Sequence, residues 1–269
     1  MAEETQPAAV LAREPLHPLE AEPAASDEPE TAPPMRRSLR SRLQKNRFLR
    51  WGLYLLAFLV AWPIVGTIIY TVVPPPITNI MILRTLSGNG IDKHWVSLDD
   101  MSPWLARAVI SSEDARFCDH NGVDWIELQG IIDDAMDDGE APTRGASTIP
   151  MQTAKNLFLW DGRLAIRKVI EIPLAMWIDL IWSKRRIIEV YLNIVEWAPG
   201  VYGAEAAAQH HFHKPAKNLT KKEAALLAAV LPNPIKRNAG KPSRGVRAVA
   251  SRILVRMAGM GAYLTCLEP

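Results

Sequence analysis

From Trp51 to Val73 the chain runs for twenty-three residues without a charge. As a helix this stretch spans about 34 Å, enough for the hydrocarbon core of a bilayer with some tilt. A buried core helix of that length would carry a polar face. A cleavable signal would have a shorter apolar region nearer residue 1 and a small-residue cleavage site. The segment therefore reads as a membrane span, with Pro63 expected to kink it, which a lipid-embedded helix tolerates. Arg36, Arg37, Arg40, Arg42, Lys45, Arg47 and Arg50 crowd its N-terminal flank. By the positive-inside rule they hold the N-terminus in the cytoplasm and send residues 75–269 to the outer side.

The remaining sequence divides around that span. Residues 1–34 carry Glu3, Glu4, Glu20 and Glu30, many prolines and few large apolar side chains. Such a segment buries too little surface to offset its ordering entropy, so residues 1–50 are expected to form a disordered cytoplasmic tail ending in a basic run. A net charge of +2 gives no global field that would favour nucleic acid. Cys118 and Cys266 are the only cysteines, and their spacing alone fixes neither pairing nor compartment. No His/Cys cluster points to zinc.

Beyond Pro74, Pro75 and Pro76, residues 74–100 read as a linker in which 77–86 alternate weakly, as a short strand would. Residues 101–269 read as one mainly α domain. Ser102 before Pro103 signals a helix start, expected to run through Ile110. Thr220 with Glu223 forms a capping box ahead of an Ala/Leu run that Pro232 stops. The stretches 164–182, 184–195 and 246–258 place apolar residues at helical spacing, as at Ile187, Ile188, Tyr191, Leu192 and Val195. Glu189, Asn193 and Glu196 are read as structural, and His210, His211 and His213 as packing or surface residues. Asp133, Asp134, Asp137, Asp138 and Glu140 lack a calcium-loop pattern and read as a solvated helix end or loop.

Three patterns carry chemistry. In S-S-E-D-A-R-F-C-D-H-N-G, Glu113 and Asp114 follow Ala108, Val109 and Ile110, at or just past a buried helix end. A carboxylate partly shielded from water has a raised pKa, suited to a general base near neutrality. Asp114 or His120 would orient it. In R-G-A-S-T-I-P-M-Q-T-A-K-N, Ser147 and Thr148 open a helix that carries Gln152 and Lys155. Helix-start amides, a side-chain amide and an ammonium suit an anionic oxygen ligand such as pyrophosphate. In D-G-R-L-A-I-R-K-V-I-E, Arg163 and Arg167 with Lys168 make a cationic patch beside a second carboxylate, Glu171. A base on one side and cations facing a diphosphate on the other match glycosyl transfer to a lipid-tethered substrate.

These patterns, in this order, resemble those of the monofunctional biosynthetic peptidoglycan glycosyltransferases of glycosyltransferase family 51, a domain shared with bifunctional penicillin-binding proteins. The resemblance covers roughly residues 80–260 and rests on E-D-x-x-F-x-x-H-x-G (Glu113 to Gly122), G-x-S-T-I-x-x-Q-x-x-K-N (Gly145 to Asn156), R-K-x-x-E (Arg167 to Glu171) and Y-L-N (Tyr191 to Asn193). It implies a lysozyme-like, two-lobed, mainly helical fold behind a single-pass anchor in the bacterial inner membrane, with the catalytic domain in the periplasm. The implied reaction polymerises lipid II into linear β-1,4 glycan strands with inversion and release of undecaprenyl diphosphate. The resemblance makes Glu113 the base on the acceptor's 4-hydroxyl and Glu171 a second catalytic carboxylate. It places Asp114, Phe117, His120, Ser147, Thr148, Gln152, Lys155, Asn156, Arg163, Arg167 and Lys168 at the substrate. No protein-bound metal or cofactor is required, although a Mg or Mn ion at the pyrophosphate is compatible with it. Expected partners are lipid II, the growing strand, the membrane and proteins of cell-wall synthesis or division. Two positions depart from the family pattern: Met151 stands where glutamine is frequent and Cys118 where proline is common.

Two other functions compete. A lysozyme-like lytic enzyme also uses a lone glutamate, but it has no need of Lys155, Arg163, Arg167 and Lys168 around a diphosphate. A non-catalytic scaffold of a cell-wall complex has no need of Glu113 and Glu171 together. No S-x-x-K pattern occurs beyond the anchor, so transpeptidase activity is not expected.

Overall fold

The computed structural model describes residues 47–138, 147–162 and 165–267. The chain divides into two units, Met1–Gly52 and Leu53–Pro269. Of the first, only residues 47–52 are described, as exposed helix. The expectations for the acidic tail, for Arg144 and Gly145, for Glu140 and for Arg163 fall outside the described residues.

Helix α1, Arg47–Ile69, is long and apolar enough to cross a membrane. It begins before Trp51 and takes in Arg47 and Arg50. It stops at Ile69, turn bonds continue to Val73, and Pro74 holds Val73 itself out of the α region. The helix continues through Pro63, and the Thr67 hydroxyl donates to the Pro63 carbonyl at 2.7 Å. Its C-terminal end is fastened to the rest of Leu53–Pro269. Trp182 Nε1 donates to Thr67 O at 2.8 Å. The Arg186 guanidinium reaches Tyr70 O at 2.8 Å and Val73 O at 3.1 Å.

Residues 79–86 correct the sequence reading: they form a helix, α2 (Asn79–Leu86), and not a strand. The Thr78 hydroxyl accepts from Met81 N at 3.3 Å and caps it, while Ile80 and Met81 turn into the core. A local cap and two buried neighbours outweigh a weak two-residue alternation.

The short β1 (Asp92–Lys93) and a 3₁₀ turn lead to α3 (Pro103–Glu113). This helix outruns the expected end at Ile110 by almost a turn. Ser102 marks its start as expected, yet the serine hydroxyl does not cap it; it donates to Leu219 O at 2.7 Å. Helix α4 (Trp125–Asp138) is capped by Asp124, whose Oδ1 accepts from Ile126 N and Glu127 N. Then come α5 (Ile149–Phe158), α6 (Ala165–Ile181) and α7 (Lys184–Ile194). Strands β2 (Glu196–Ala198) and β3 (Val201–Tyr202) follow, with β3 in the middle of a small sheet, parallel to β1 and antiparallel to β2. Helices α8 (Ala204–Phe212), α9 (Lys221–Val230) and α10 (Arg244–Gly259) complete the domain. The capping box on α9 is present as read, with Thr220 and Glu223 bonding reciprocally.

Helix α9 packs against α3 and α10, and α5 against α6 and α7. The alanine run of α9 is buried almost throughout, which lets neighbouring helices approach closely. Phe117, Tyr191, Trp197 and Tyr202 are fully buried, each contributing about 1.5–3 kcal/mol over an exposed position.

Cys118 and Cys266 form a disulfide with Cα atoms 5.6 Å apart, closing a separation of 148 residues. It pins the segment after α3 to the C-terminal 3₁₀ turn, where Arg185 also donates to Leu267 O at 3.0 Å. Replacing both cysteines by serine is expected to lower stability by about 2–4 kcal/mol, read as a shift in the chemical-denaturation midpoint.

Candidate active site

Glu113 is the last residue of α3 and Asp114 its C-cap. Two bonds hold this corner. The buried Asp114 carboxylate accepts from Ile149 N at 2.8 Å, at the start of α5, and from His120 Nε2 at 2.9 Å. A carboxylate at a helix N-terminus is favoured by the unpaired amides and the dipole there. The end of α3 is thus locked to the beginning of α5.

The loop between them is fixed just as firmly. Lys184 Nζ donates to His120 O at 2.5 Å, pairs with Asp179 at 2.6 Å and stands 4.9 Å from the Phe117 ring centroid. Gly122 has φ +83°, and a Cβ there would lie 2.6 Å from Ala175 O on α6. Only glycine permits that approach. The Thr148 hydroxyl donates to Gly122 O at 2.6 Å while also capping α5 through Met151 N.

On this frame Glu113 presents its carboxylate to a cleft of about 390 Å³. Asp114, Arg116, Asp124, Ser147 and Thr148 line it, joined by Arg256 of α10. Gln152 Nε2 donates to Glu113 Oε2 at 3.0 Å, and the Gln152 carbonyl oxygen accepts from the Tyr191 hydroxyl at 2.9 Å. Burial pushes the Glu113 carboxyl above its ordinary range, against the opposing pull of Gln152 and Lys155. Removal from water penalises the charged form, so Glu113 is a stronger base than a solvated glutamate.

A cationic cluster adjoins it. Lys168 Nζ donates to Ser147 Oγ at 3.0 Å and pairs with Glu171 at 3.1 Å. Arg167 pairs with the same carboxylate and donates to Gly162 O. Burial, with Arg167 and Lys155 close by, brings the Lys168 amine down to about 8. Burial also lowers Lys155. Glu113, Gln152, Ser147, Lys168 and Glu171 form one continuous polar chain, because Gln152 Nε2 also lies 3.5 Å from Ser147 O.

Several of the expected site residues are buried. Phe117 is fully buried. Asp114 and His120 are buried and spend their bonds on the frame. Asn156 is buried, with its amide donating to Gln152 O at 2.8 Å. Glu171 is 1 % exposed and sits behind the two cations it anchors. Residues the sequence reading missed are Arg237, whose charge reaches Glu113, and Arg84 with Asp161, whose charges reach Lys155. Arg84 joins Asp161 at 2.5 Å and lies 3.7 Å from the buried Glu196. Its one local sign was a lone charge in an otherwise apolar segment. Among the described residues no group of three His, Cys, Asp or Glu side chains is placed to hold a metal.

A second, apolar groove of about 670 Å³ runs between α1, α2, α5 and α6, lined by Leu59, Pro63, Ile82, Phe158, Trp160 and Leu174 among others. Leu157, Phe158 and Leu159 are also core residues, while Trp160 is part exposed.

The transglycosylase family model matches residues 80–258. The chain belongs to the transglycosylase family, glycosyltransferase family 51. A biosynthetic peptidoglycan transglycosylase of Mesorhizobium japonicum is 53% identical over 237 residues, covering 87% of this chain and 96% of the relative. That of Rhizobium meliloti is 47% identical over 232 residues, covering 86% and 95%. One from Rhodopseudomonas palustris is 50% identical over 212 residues, covering 78% and 92%.

In this transglycosylase the Asp114 clamp fixes the position of Glu113. Asp114→Ala leaves His120 and the Ile149 amide buried without their acceptor, and is expected to cost about 3 kcal/mol, measured by urea denaturation in detergent.

Proposed function

We propose that this chain polymerises lipid II by inverting glycosyl transfer, with Glu113 as the base and Lys155, Arg167 and Lys168 as the counter-charge for the departing diphosphate. The observation that carries this reading is the polar chain joining a buried, raised-pKa carboxylate to a lysine–arginine cluster within one site. Glu113 takes the proton of the acceptor's 4-hydroxyl as that oxygen attacks the anomeric carbon of the donor. The bond from that carbon to the diphosphate breaks, and the electron pair leaves with undecaprenyl diphosphate. Charge develops on the leaving oxygen, where cations in a partly dry site are worth most. Backside attack on an α-linked donor yields the β-1,4 bond.

In this scheme Glu171 acts on the substrate only through Arg167 and Lys168, whose positions it sets. Because both its oxygens face those cations, a divalent ion accompanying the diphosphate would draw its oxygens chiefly from the substrate. Asp114, His120 and Phe117 hold the frame, and Ser147 and Thr148 stand at the cleft wall. Helix α1 anchors the protein in the cytoplasmic membrane, with the basic flank inside and the cleft in the periplasm. The apolar groove begins one turn beyond Lys155 on α5, so a prenyl chain leaving a diphosphate at Lys155 meets apolar surface. A lytic enzyme would have no use for that cation cluster.

Full-length protein in detergent, given labelled lipid II, is expected to build polymer. Glu113→Gln should reduce that rate at least about 100-fold with folding intact. Wild-type rates in that variant, or release of fragments from finished glycan without chain growth, would sink the assignment.

Lys168 gives a pH signature. Its amine is charged below about 8 and neutral above, so diphosphate stabilisation is present at low pH and lost as pH rises through that value. Polymerisation should decline on the alkaline side near there. Lys168→Arg, charged at every working pH, should move that decline upward.

A further inference from the structure

Tyr191 is fully buried in α7 and does not line the cleft. Its hydroxyl nevertheless lies one residue from the base, donating at 2.9 Å to the Gln152 carbonyl oxygen. The opposite end of that amide faces two acceptors, Glu113 Oε2 at 3.0 Å and Ser147 O at 3.5 Å.

An amide has one accepting and one donating end. Turned around, Gln152 would set its own carbonyl against a carboxylate and a backbone carbonyl, three acceptors with no proton among them. The observed orientation avoids this but directs the amide oxygen into the core, where an unpaired carbonyl is costly. Tyr191 fills that need. Burial first, then the charges of Glu113 and Asp114, push its phenol well above the ordinary range. It therefore stays a donor at every working pH.

We propose that Tyr191 is a positioning residue for glycosyl transfer: acting through the Gln152 amide, it fixes Oε2 of Glu113 and leaves Oε1 as the oxygen that takes the acceptor's proton. This rests on Glu113 being the base. The amide bond favours the charged carboxylate, so loosening it raises the pH at which Glu113 becomes competent. Other charges around Glu113 are Asp114 on the same helix end, Lys155 on α5 and Arg237 after α9. Arg116, Asp124, Glu127 and Arg256 stand along the cleft. Removing a neutral hydroxyl changes the charge of none of them.

The test is the pH dependence of lipid II polymerisation by full-length Tyr191→Phe, which loses one oxygen atom. The acidic limb is expected to move up by about half a pH unit or more. The kcat should fall roughly three- to ten-fold with KM unchanged. Gln152→Ala should shift the limb similarly, and Tyr191→Phe should add no further shift in that background. A merely structural role would lower the melting temperature and leave the limb in place, which overturns the proposal. Additive shifts in the double variant overturn it too. Should Tyr191→Phe fail to fold, 4-fluorophenylalanine at position 191 decides. Its fluorine fills the space of the hydroxyl but donates no proton, so a limb moved up by the same amount supports the proposal and a wild-type limb refutes it. If Glu113→Gln remains active, the base assignment itself falls. If that variant is dead and Tyr191→Phe is unshifted, only the positioning role falls.

Discussion

The Asp114 carboxylate, buried between the first amide of α5 and the ring of His120, is the interaction on which the site depends. Asp114 immediately follows Glu113, so locking its side chain also locks the Glu113 backbone. The partner amide opens α5, so the same bond sets Gln152 and Lys155 relative to Glu113. Lys184 holds the His120 carbonyl, and Gly122 lets α6 come close enough for Lys168 to reach Ser147. Acid, amide and cations arise on three helices, and one buried carboxylate fixes the junction between two of them.

The electrostatics divide the labour. Burial raises Glu113, while Gln152 and Lys155 pull against that rise. A carboxylate wholly dry would stay protonated and useless as a base, and one fully wet would be too weak. The cations face the converse problem. Packed together, Lys155, Arg167 and Lys168 repel one another and lose solvent, and Lys168 falls to about 8. Glu171 behind them offsets part of that cost. Like charges held this close repel one another, and in a site short of water that repulsion is screened little.

Much of this was legible locally. The capping box at Thr220 and Glu223, the helix spacing of 184–195 and the acid pair after an apolar run are short-range signals, and the structure follows them. Residues 79–86 misled because the decision lay in the Thr78 cap and the burial of Ile80 and Met81. The Gln152–Tyr191 bond spans 39 residues and the Cys118–Cys266 link 148. No pattern within a window marks contacts at that range. Tyr191 was correctly read as core, but what a buried hydroxyl bonds is a question of tertiary packing. Phe117, Asn156 and Glu171 stand in recognisable motifs, yet a motif does not say which of its members are buried and which are exposed.

The lower end of α1 is not loosely attached. Trp182 grips Thr67, and the Arg186 guanidinium grips the carbonyls of Tyr70 and Val73. Were α1 to lie in a bilayer, the domain would stand on it as on a stilt and would not swing from it as from a leash. The height of Glu113 above the lipid surface would then be a built-in length, set by how many turns separate Thr67 from the hydrocarbon edge.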